Sequence, residues 1–348
     1  MARAKILVAA TLDGKGTANH RALAIRRLGY DVVPFNFSDY LSGLGKVTNW
    51  AYHRLMRGPL VSRINGDLRQ LAQSTRPNLI LIDKGIFVTA GTVRFLSKHI
   101  APTIQHNLDN PFGTMGEKSW RRLIDAIPYY DVHFVPRDIN LADYKAAGAK
   151  RVIRVPLAFE PTVHFPPPPS WSDSDRTIDV SFTGSPYDDR AKFMTSLLTD
   201  HGISVDIQGD RWQKALGVDF ARKLYTGPGV YGDAYRQRFW QSKLCLSFIT
   251  RSNCDQVAHK SFEIAASGGV LLAEDTAEHR SIFEDGKEAL FFTDLADCAR
   301  LIGEYLPKVR ARAAIARAAV QRSVQSGYSN DDRLRPALDE VRSLFSVD

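Results

Sequence analysis

Apolar runs of strand length alternate with stretches of helical period from Lys5 almost to the end of the chain. This alternation predicts parallel α/β units rather than a sandwich or a bundle. In the first half, strands are expected at Lys5–Ala10, Asp31–Phe35, Asn78–Asp83, Pro102–Asn107, Asp131–Pro136 and Arg151–Leu157. Helices are expected between them at Thr17–Leu28, Arg63–Gln73, Thr89–Lys98, Glu117–Ala126 and Ile139–Ala147, with Gly29 placed to end the first. Pro161, the run Pro166–Pro169 and the polar Ser170–Asp175 then break the rhythm, as an extended linker does. The alternation restarts with strands at Asp179–Thr183, Ser204–Gln208, Lys223–Tyr225, Leu244–Ile249, Val270–Ala273 and Ala289–Phe292. Helices are expected there at Tyr187–His201, Tyr231–Ser242, Lys260–Ala266, Ala277–Phe283, Leu295–Tyr305 and from Lys308 onward. The expectation is two doubly wound, Rossmann-like domains: 1–160, a linker at 161–176, and 177–325. A closing helix over 326–348 is placed to cross back to the first domain.

Composition narrows this picture. With 348 residues, 44% hydrophobic and 24% charged, the chain has room for two ordinary cores and no signature of disorder. The apolar part of Met1–Ala10 is too short for a signal segment and reads as a first strand. No stretch approaches the roughly 18 apolar residues that span a bilayer. Cys245, Cys254 and Cys298 form neither a disulfide framework nor a metal motif, which fits a reducing cytoplasm. A net charge of +8 permits anionic partners, but zinc-finger, aromatic RNA-binding and helix-turn-helix patterns are missing, so nucleic acid is not an expected partner. In Tyr40–Ile64, the apolar Tyr40, Leu41, Leu44, Val47, Trp50 and Leu55 run among Lys46, Arg54, Arg57 and Arg63. A basic acceptor groove or core packing accounts for this segment, and peripheral contact with the inner face of a membrane is the alternative.

Ligands of open α/β sheets bind beyond the carboxyl ends of the strands, so residues that follow the expected strands carry the candidate chemistry. The turn Thr11–Thr17 contains Gly14 and Gly16, whose amides could approach an anion; a tight turn with no ligand explains it equally. His106, Asn107, Asp109 and Asn110 follow a mid-domain strand and could orient sugar hydroxyls or exchange protons, or cap local backbone. Gly184 and Ser185 would open a helix whose dipole favours phosphate, with Arg190 one turn in as a forked donor. His259 and Lys260 open another helix, where cations conflict with the dipole unless an anion binds there. Glu263, one turn on from His259, could bridge the two hydroxyls of a ribose; a plain amphipathic surface helix is the competing account.

The run His259–Gly269 with Val270–Glu274, Glu278, His279, Ile282–Glu288 and Phe291–Phe292 resembles the donor domain of retaining GT-B glycosyltransferases, most closely the branch similar to the spore maturation protein CgeB. Ser181–Ser185 with Arg190, Gly202–Asp206, Gly209–Trp212, Tyr225–Gly232 and Tyr235 follow that branch's order, and Gly327–Leu334 is similar to its closing helix. The resemblance implies an α/β GT-B fold of two Rossmann-like domains facing each other across a cleft. It implies two acidic contacts to the donor: Glu263 at the ribose and, eight positions earlier, Asp255 at the sugar, one methylene shorter than the family's residue. It gives the diphosphate to Arg190 and to His259 or Lys260, and the nucleobase loop to Tyr225–Val230, with Tyr225 and Gly227 as its donor contacts. The expected activity is that of a cytoplasmic, hexosyltransferase-like enzyme. It moves a sugar from a nucleoside diphosphate sugar to a hydroxyl of a glycan, lipid-linked glycan, protein or small molecule, with retention and without metal or other cofactor. Asp109 and His106 would position the sugar or, with Asp255, take part in the chemistry. A GT-B sugar-nucleotide epimerase and a non-catalytic sugar-nucleotide-binding protein are the alternatives.

Overall fold

The computed structural model describes residues 3–55, 57–114 and 120–347. Met1, Glu117 and the side chains of Lys46 and Val47, all named above, lie outside the described residues. Two compact units divide the chain, Met1–Leu157 with Asn330–Asp348 and Ala158–Ser329.

In unit 1 the strands are β1 (Lys5–Ala10), β2 (Asp31–Asn36), β3 (Leu79–Asp83), β4 (Thr103–His106), β5 (Val132–Val135) and β6 (Val152–Arg154). They form one parallel sheet in the order β2-β1-β3-β4-β5-β6. Both faces of β1 are apolar because both are covered, as a parallel sheet requires. Its side chains alternate between two cores with the period of a strand. Ile6 and Val8 pack with Ile104 and Phe134 on one face, and Leu7 and Ala9 with Ile64, Leu68 and Ile80 on the other. The C-terminal helix Asn330–Phe345 completes the first of these cores through Leu334, Leu338 and Val341. Arg27 clasps Asp331 at 2.6 Å, at the start of that helix.

Unit 2 repeats the plan with β7 (Ile178–Thr183), β8 (Asp206–Gln208), β9 (Tyr225–Gly227), β10 (Ser242–Ser247), β11 (Leu271–Glu274) and β12 (Leu290–Phe292). The parallel order is β12-β11-β10-β7-β8-β9. The helix Trp212–Leu224, absent from the sequence expectation, is split by Gly217 at φ 73°, which breaks the apolar period that would have signalled it. Each sheet therefore has one place where consecutive strands leave in opposite directions. It lies between β1 and β3 in unit 1 and between β7 and β10 in unit 2, and such a point opens a crevice at the carboxyl ends of the strands.

The proline-rich stretch is extended and fastened to unit 2. Arg236 donates to the carbonyl of Val163 at 2.8 Å and Trp240 Nε1 to that of Phe165 at 3.1 Å. Its last residue, Arg176, is buried and donates to the carbonyls of Phe239, Trp240, Ser242 and Gly268, tying the start of β10 to the turn before β11. Replacing Arg176 with Met strips four enclosed carbonyls of their donor and removes one of the two arginines, Arg176 at 3.4 Å and Arg312, that pair with Asp173. The expected cost is about 3–5 kcal/mol in a urea-unfolding titration; a loss below about 1 kcal/mol would contradict this account.

Candidate functional site

Three glycines stand side by side at the carboxyl edge of unit 2. Gly184 follows β7 and donates to Gln208 at 2.9 Å, while Gly209 follows β8 and donates to Gly227, the last residue of β9, at 3.0 Å. Gly209 has φ 158°, and a Cβ there would fall 1.9 Å from the carbonyl oxygen of Gly184. That carbonyl also accepts from Trp212 Nε1 at 2.6 Å. Gly184 has φ 150°, and a Cβ on it would stand 2.5 Å from Lys260 Nζ. The absence of a side chain at 184 is thus what lets the ammonium of Lys260 reach the end of β7, where it donates to the carbonyl of Thr183. It also lies 4.5 Å from the centroid of the Phe182 ring. Burial, and then the nearby charge of Arg190, pull Lys260 down from its ordinary 10.5 to about 7, against the attraction of Glu263.

Lys260 and Glu263 sit on the helix His259–Ala266, whose position a buried polar chain fixes. Ser247 of β10 meets Ser261 at 3.1 Å, Ser261 meets His279 Nε2 at 2.9 Å, and His279 Nδ1 meets Thr276 at 3.2 Å. Burial lowers His279 to about 4, so it is neutral at physiological pH. Glu263 is 7% exposed. Its Oε2 accepts from the Tyr235 hydroxyl at 2.6 Å, and its Oε1 lies 3.2 Å from His259 Nδ1 and 3.7 Å from His164 Nε2. His164 Nδ1 accepts from the amide of Glu160 at 3.1 Å, which leaves the proton on the nitrogen that faces Glu263. Burial by itself would raise the Glu263 carboxyl; the two histidines and the Tyr235 hydroxyl outweigh it and hold the group well below the usual carboxylate range. The result is a fixed anion one helical turn from a fixed cation.

The other residues expected in this half lie around the same edge. Ser185 is half-buried in the turn after β7, and Tyr225 begins β9. Arg190 is buried, its Nη1 donating to the carbonyl of Ser185 and its Nη2 to the carbonyls of Phe248 and Ile249 and the hydroxyl of Thr250, while its Nε is buried with no partner among the described residues. It braces the crevice between the ends of β7 and β10. Asp255 is half-buried and accepts from Asn253 at 3.1 Å.

Gly14, Gly16, His106 and Asp109 belong to unit 1. Asp13 takes the amides of Lys15 and Gly16 at 2.9 and 3.3 Å, so a side chain of the turn itself occupies part of that anion site. His106 is buried, its Nδ1 3.2 Å from Asp83, which also binds Arg21. Burial would raise Asp83, but Arg21 and His106 bring it down to about 2. Asp109, at the surface, pairs with Lys84 at 2.9 Å. Sequence reasoning missed Asp83, Arg21 and Lys84. The signal was present, since Asp83 ends one expected strand and Lys84 follows it. It also missed His164, hidden in a stretch read as linker.

The family model described as glycosyl transferase-like matches residues 190–339. No curated protein matches the sequence. Sucrose-phosphate synthase from Thermosynechococcus elongatus is similar in structure at 11% identity with a TM-score of 0.68, over 99% of this chain and 100% of that one. HepE of Anabaena in complex with UDP-glucose is similar at 13% identity with a TM-score of 0.65, over 97% of this chain and 99% of that one. TarM of S. aureus is similar at 13% identity with a TM-score of 0.59 over 80% of this chain, which spans 58% of TarM's length. The fold is GT-B. Within it, the residues that the family model matches include Lys260 and Glu263, while Gly184 and Ser185 precede them.

Two outcomes follow from the geometry of this GT-B unit. Gly209→Ala forces a Cβ into the Gly184 carbonyl and is expected to cost more than about 3 kcal/mol, read as a collapse of the urea midpoint. Lys260 titrates near 7 when folded and 10.5 when unfolded, so the unfolded chain holds more protons between those values and this group makes stability rise with pH across them. Lys260→Met removes that dependence. Its stability advantage over the ligand-free wild type is largest below pH 7 and shrinks toward pH 9; an advantage that stays constant with pH would exclude the buried cation.

Proposed function

We propose that the chain is a glycosyltransferase that takes its sugar from a nucleoside diphosphate sugar held by unit 2. The observation that carries this reading is the pairing of a glycine-lined strand end with the half-buried ammonium of Lys260 and the ionised Glu263, one helical turn apart. An ammonium in that position carries a cost in the empty protein that a diphosphate lifts, and the amide of Ser185, in the turn after β7, adds a donor to it. Glu263, fixed by Tyr235 and the two histidines, has lone pairs left for the paired hydroxyls of a ribose. Support comes also from the glycosyl transferase-like family model and from HepE, solved with UDP-glucose.

In this reading the leaving diphosphate develops negative charge as the glycosidic bond breaks, and Lys260 and the Ser185 amide stabilise it without a metal ion. Arg190 acts from behind, keeping the Ser185 turn and the end of β10 in place. Asp255 takes a hydroxyl of the donor sugar, a hexose, and Tyr225 and Gly227 lie toward the base. We further assign retention at the anomeric carbon and membership of the CgeB-like branch, on the sequence resemblance around Lys260 and Glu263. The acceptor is a hydroxyl compound bound by unit 1, with His106 and Asp109 orienting it.

Thermal denaturation with a panel of nucleoside diphosphates tests this directly. UDP or another member is expected to raise the midpoint with concentration, and slow release of that diphosphate from its sugar nucleotide should accompany it. Glu263→Gln and Lys260→Met should each weaken the binding about tenfold or more, with a cooperative unfolding transition retained. A panel in which every nucleotide leaves the midpoint unmoved would overturn the proposal.

A further inference from the structure

The loops that follow β3 and β4 in unit 1 open onto a cavity of about 1250 Å³, lined by Thr89 to Gly91 on one side and by Pro111 and Gly113 on another. It is larger than the roughly 300–1,000 Å³ of ordinary small-molecule sites. Four arginines line it from separate places in the chain: Arg54 at the end of the helix Lys46–Leu55, Arg57 just beyond it, and Arg121 and Arg122 on the helix Trp120–Ala126. Asp125 is the one carboxylate among the described lining residues. Arg57 and Arg121 are exposed, and neither is joined to a carboxylate among the described residues. Arg122 is half-buried; burial first, and then the charge of Arg57, hold it below its ordinary value. Like charges gathered in a concavity repel one another, and the first turn of the helix Ala90–His99 adds the positive end of its dipole. Both costs disappear when a multiply charged anion enters. The cavity is not purely ionic: buried Trp120 and exposed Leu55 form part of its wall. The indole nitrogen of Trp120 is buried with no hydrogen-bond partner among the described residues.

We propose that this cavity binds an organic phosphoester, the arginines taking the phosphoryl oxygens and the Trp120 wall taking the organic body. Guanidinium forks match phosphoryl oxygens two at a time, and an excess of three positive charges in the lining suits a dianion better than a single carboxylate. The further step, that the phosphoester is carried by the acceptor, rests on the transferase reading; the anion site itself does not. The phosphoryl group could belong to a soluble sugar phosphate or to a lipid-linked one.

The test uses the full chain and three probes. Calorimetric titration with phenyl phosphate is expected to show binding, and phenyl glucoside, the neutral counterpart, none at the same concentration. The double substitution Arg57→Gln with Arg121→Gln, both at exposed positions, should weaken phenyl phosphate about tenfold or more while leaving the response to UDP unchanged. Co-sedimentation with phosphatidylglycerol vesicles separates the sources. Binding of phenyl phosphate without vesicle attachment supports a soluble phosphoester, and binding of both, weakened together in the double variant, supports a lipid-linked one. Equal affinity for the two phenyl compounds, unchanged phenyl phosphate binding in the variant, or vesicle attachment insensitive to the arginines each overturns the site. If phenyl phosphate binds through the arginines while no nucleotide binds, the transferase reading falls and the anion site stands. If nucleotides bind and phenyl phosphate does not, the reverse holds.

Discussion

Unit 2 depends on one close approach: backbone against backbone where β7 and β8 end, with the carbonyl of Gly184 standing where any side chain at 209 would begin. Everything around the candidate site inherits that constraint. Because 184 also lacks a Cβ, Lys260 can reach the carbonyl of Thr183 from the first turn of its helix, and because 209 lacks one, Trp212 can donate to Gly184. The glycines therefore act as more than flexible turns, since each removes an atom from a place that another group needs. A ligand with a charged backbone of its own could approach such an edge as closely as these protein groups approach one another.

The charges in the same region obey a different logic. A half-buried ammonium and a nearly enclosed carboxylate each carry a desolvation cost, and an ion pair is the ordinary way to offset it. Here the two groups are not joined directly. Glu263 is satisfied by Tyr235, His259 and His164, whereas Lys260 is left with a carbonyl and an aromatic face, close enough to Arg190 to feel its repulsion. The carboxylate is thus stabilised in its charged form and the ammonium destabilised in its own. A site arranged so is electrostatically incomplete in one sense only: it lacks negative charge next to Lys260, at the positive end of a helix.

Much of the architecture was legible in the chain. Most strands were visible as apolar runs, because parallel strands buried on both faces need continuous hydrophobic sequence, and β1 shows this from Ile6 through Ala10; the strand expected at Lys223–Tyr225 meets β9 only at Tyr225, since Lys223 and Leu224 end the helix Trp212–Leu224. The helix Trp212–Leu224 was not visible, because Gly217 interrupts its period. At the site, Gly184, Lys260 and Glu263 stood out through strand-end position and through cations at a helix start. The partners of Glu263 did not, because His164 lies about a hundred residues away in a proline-rich stretch. Only the packing of that stretch against unit 2 brings it near. Arg190 shows the converse limit. Its type and its position after β7 suggested a phosphate contact, but a guanidinium has five donors and sequence does not say where they point. The structure directs those of Nη1 and Nη2 to the carbonyls of Ser185, Phe248 and Ile249 and the hydroxyl of Thr250, and leaves Nε without a partner among the described residues.

The two units resolve the same topological situation with opposite chemistry, and this bears on what each can bind. In unit 2 the edge is built from glycine and backbone, and the groups beside it that could read a ligand at close range are one ammonium and one carboxylate. At the corresponding edge of unit 1, polar side chains already neutralise one another. Asp83 is shared by Arg21 and His106, Asp109 is paired with Lys84, and Asp13 covers its own turn. A region satisfied in this way offers little electrostatic gain to a charged ligand, which must displace existing pairs before making its own. Positive charge that meets no carboxylate among the described residues lies instead at Arg57 and Arg121, in the cavity wall that holds Trp120. Neutral hydroxyl groups suit the first region, since they can join a hydrogen-bonded network without breaking its ion pairs, and an anionic group suits the second. A ligand bearing both would be held at two points by forces that do not compete.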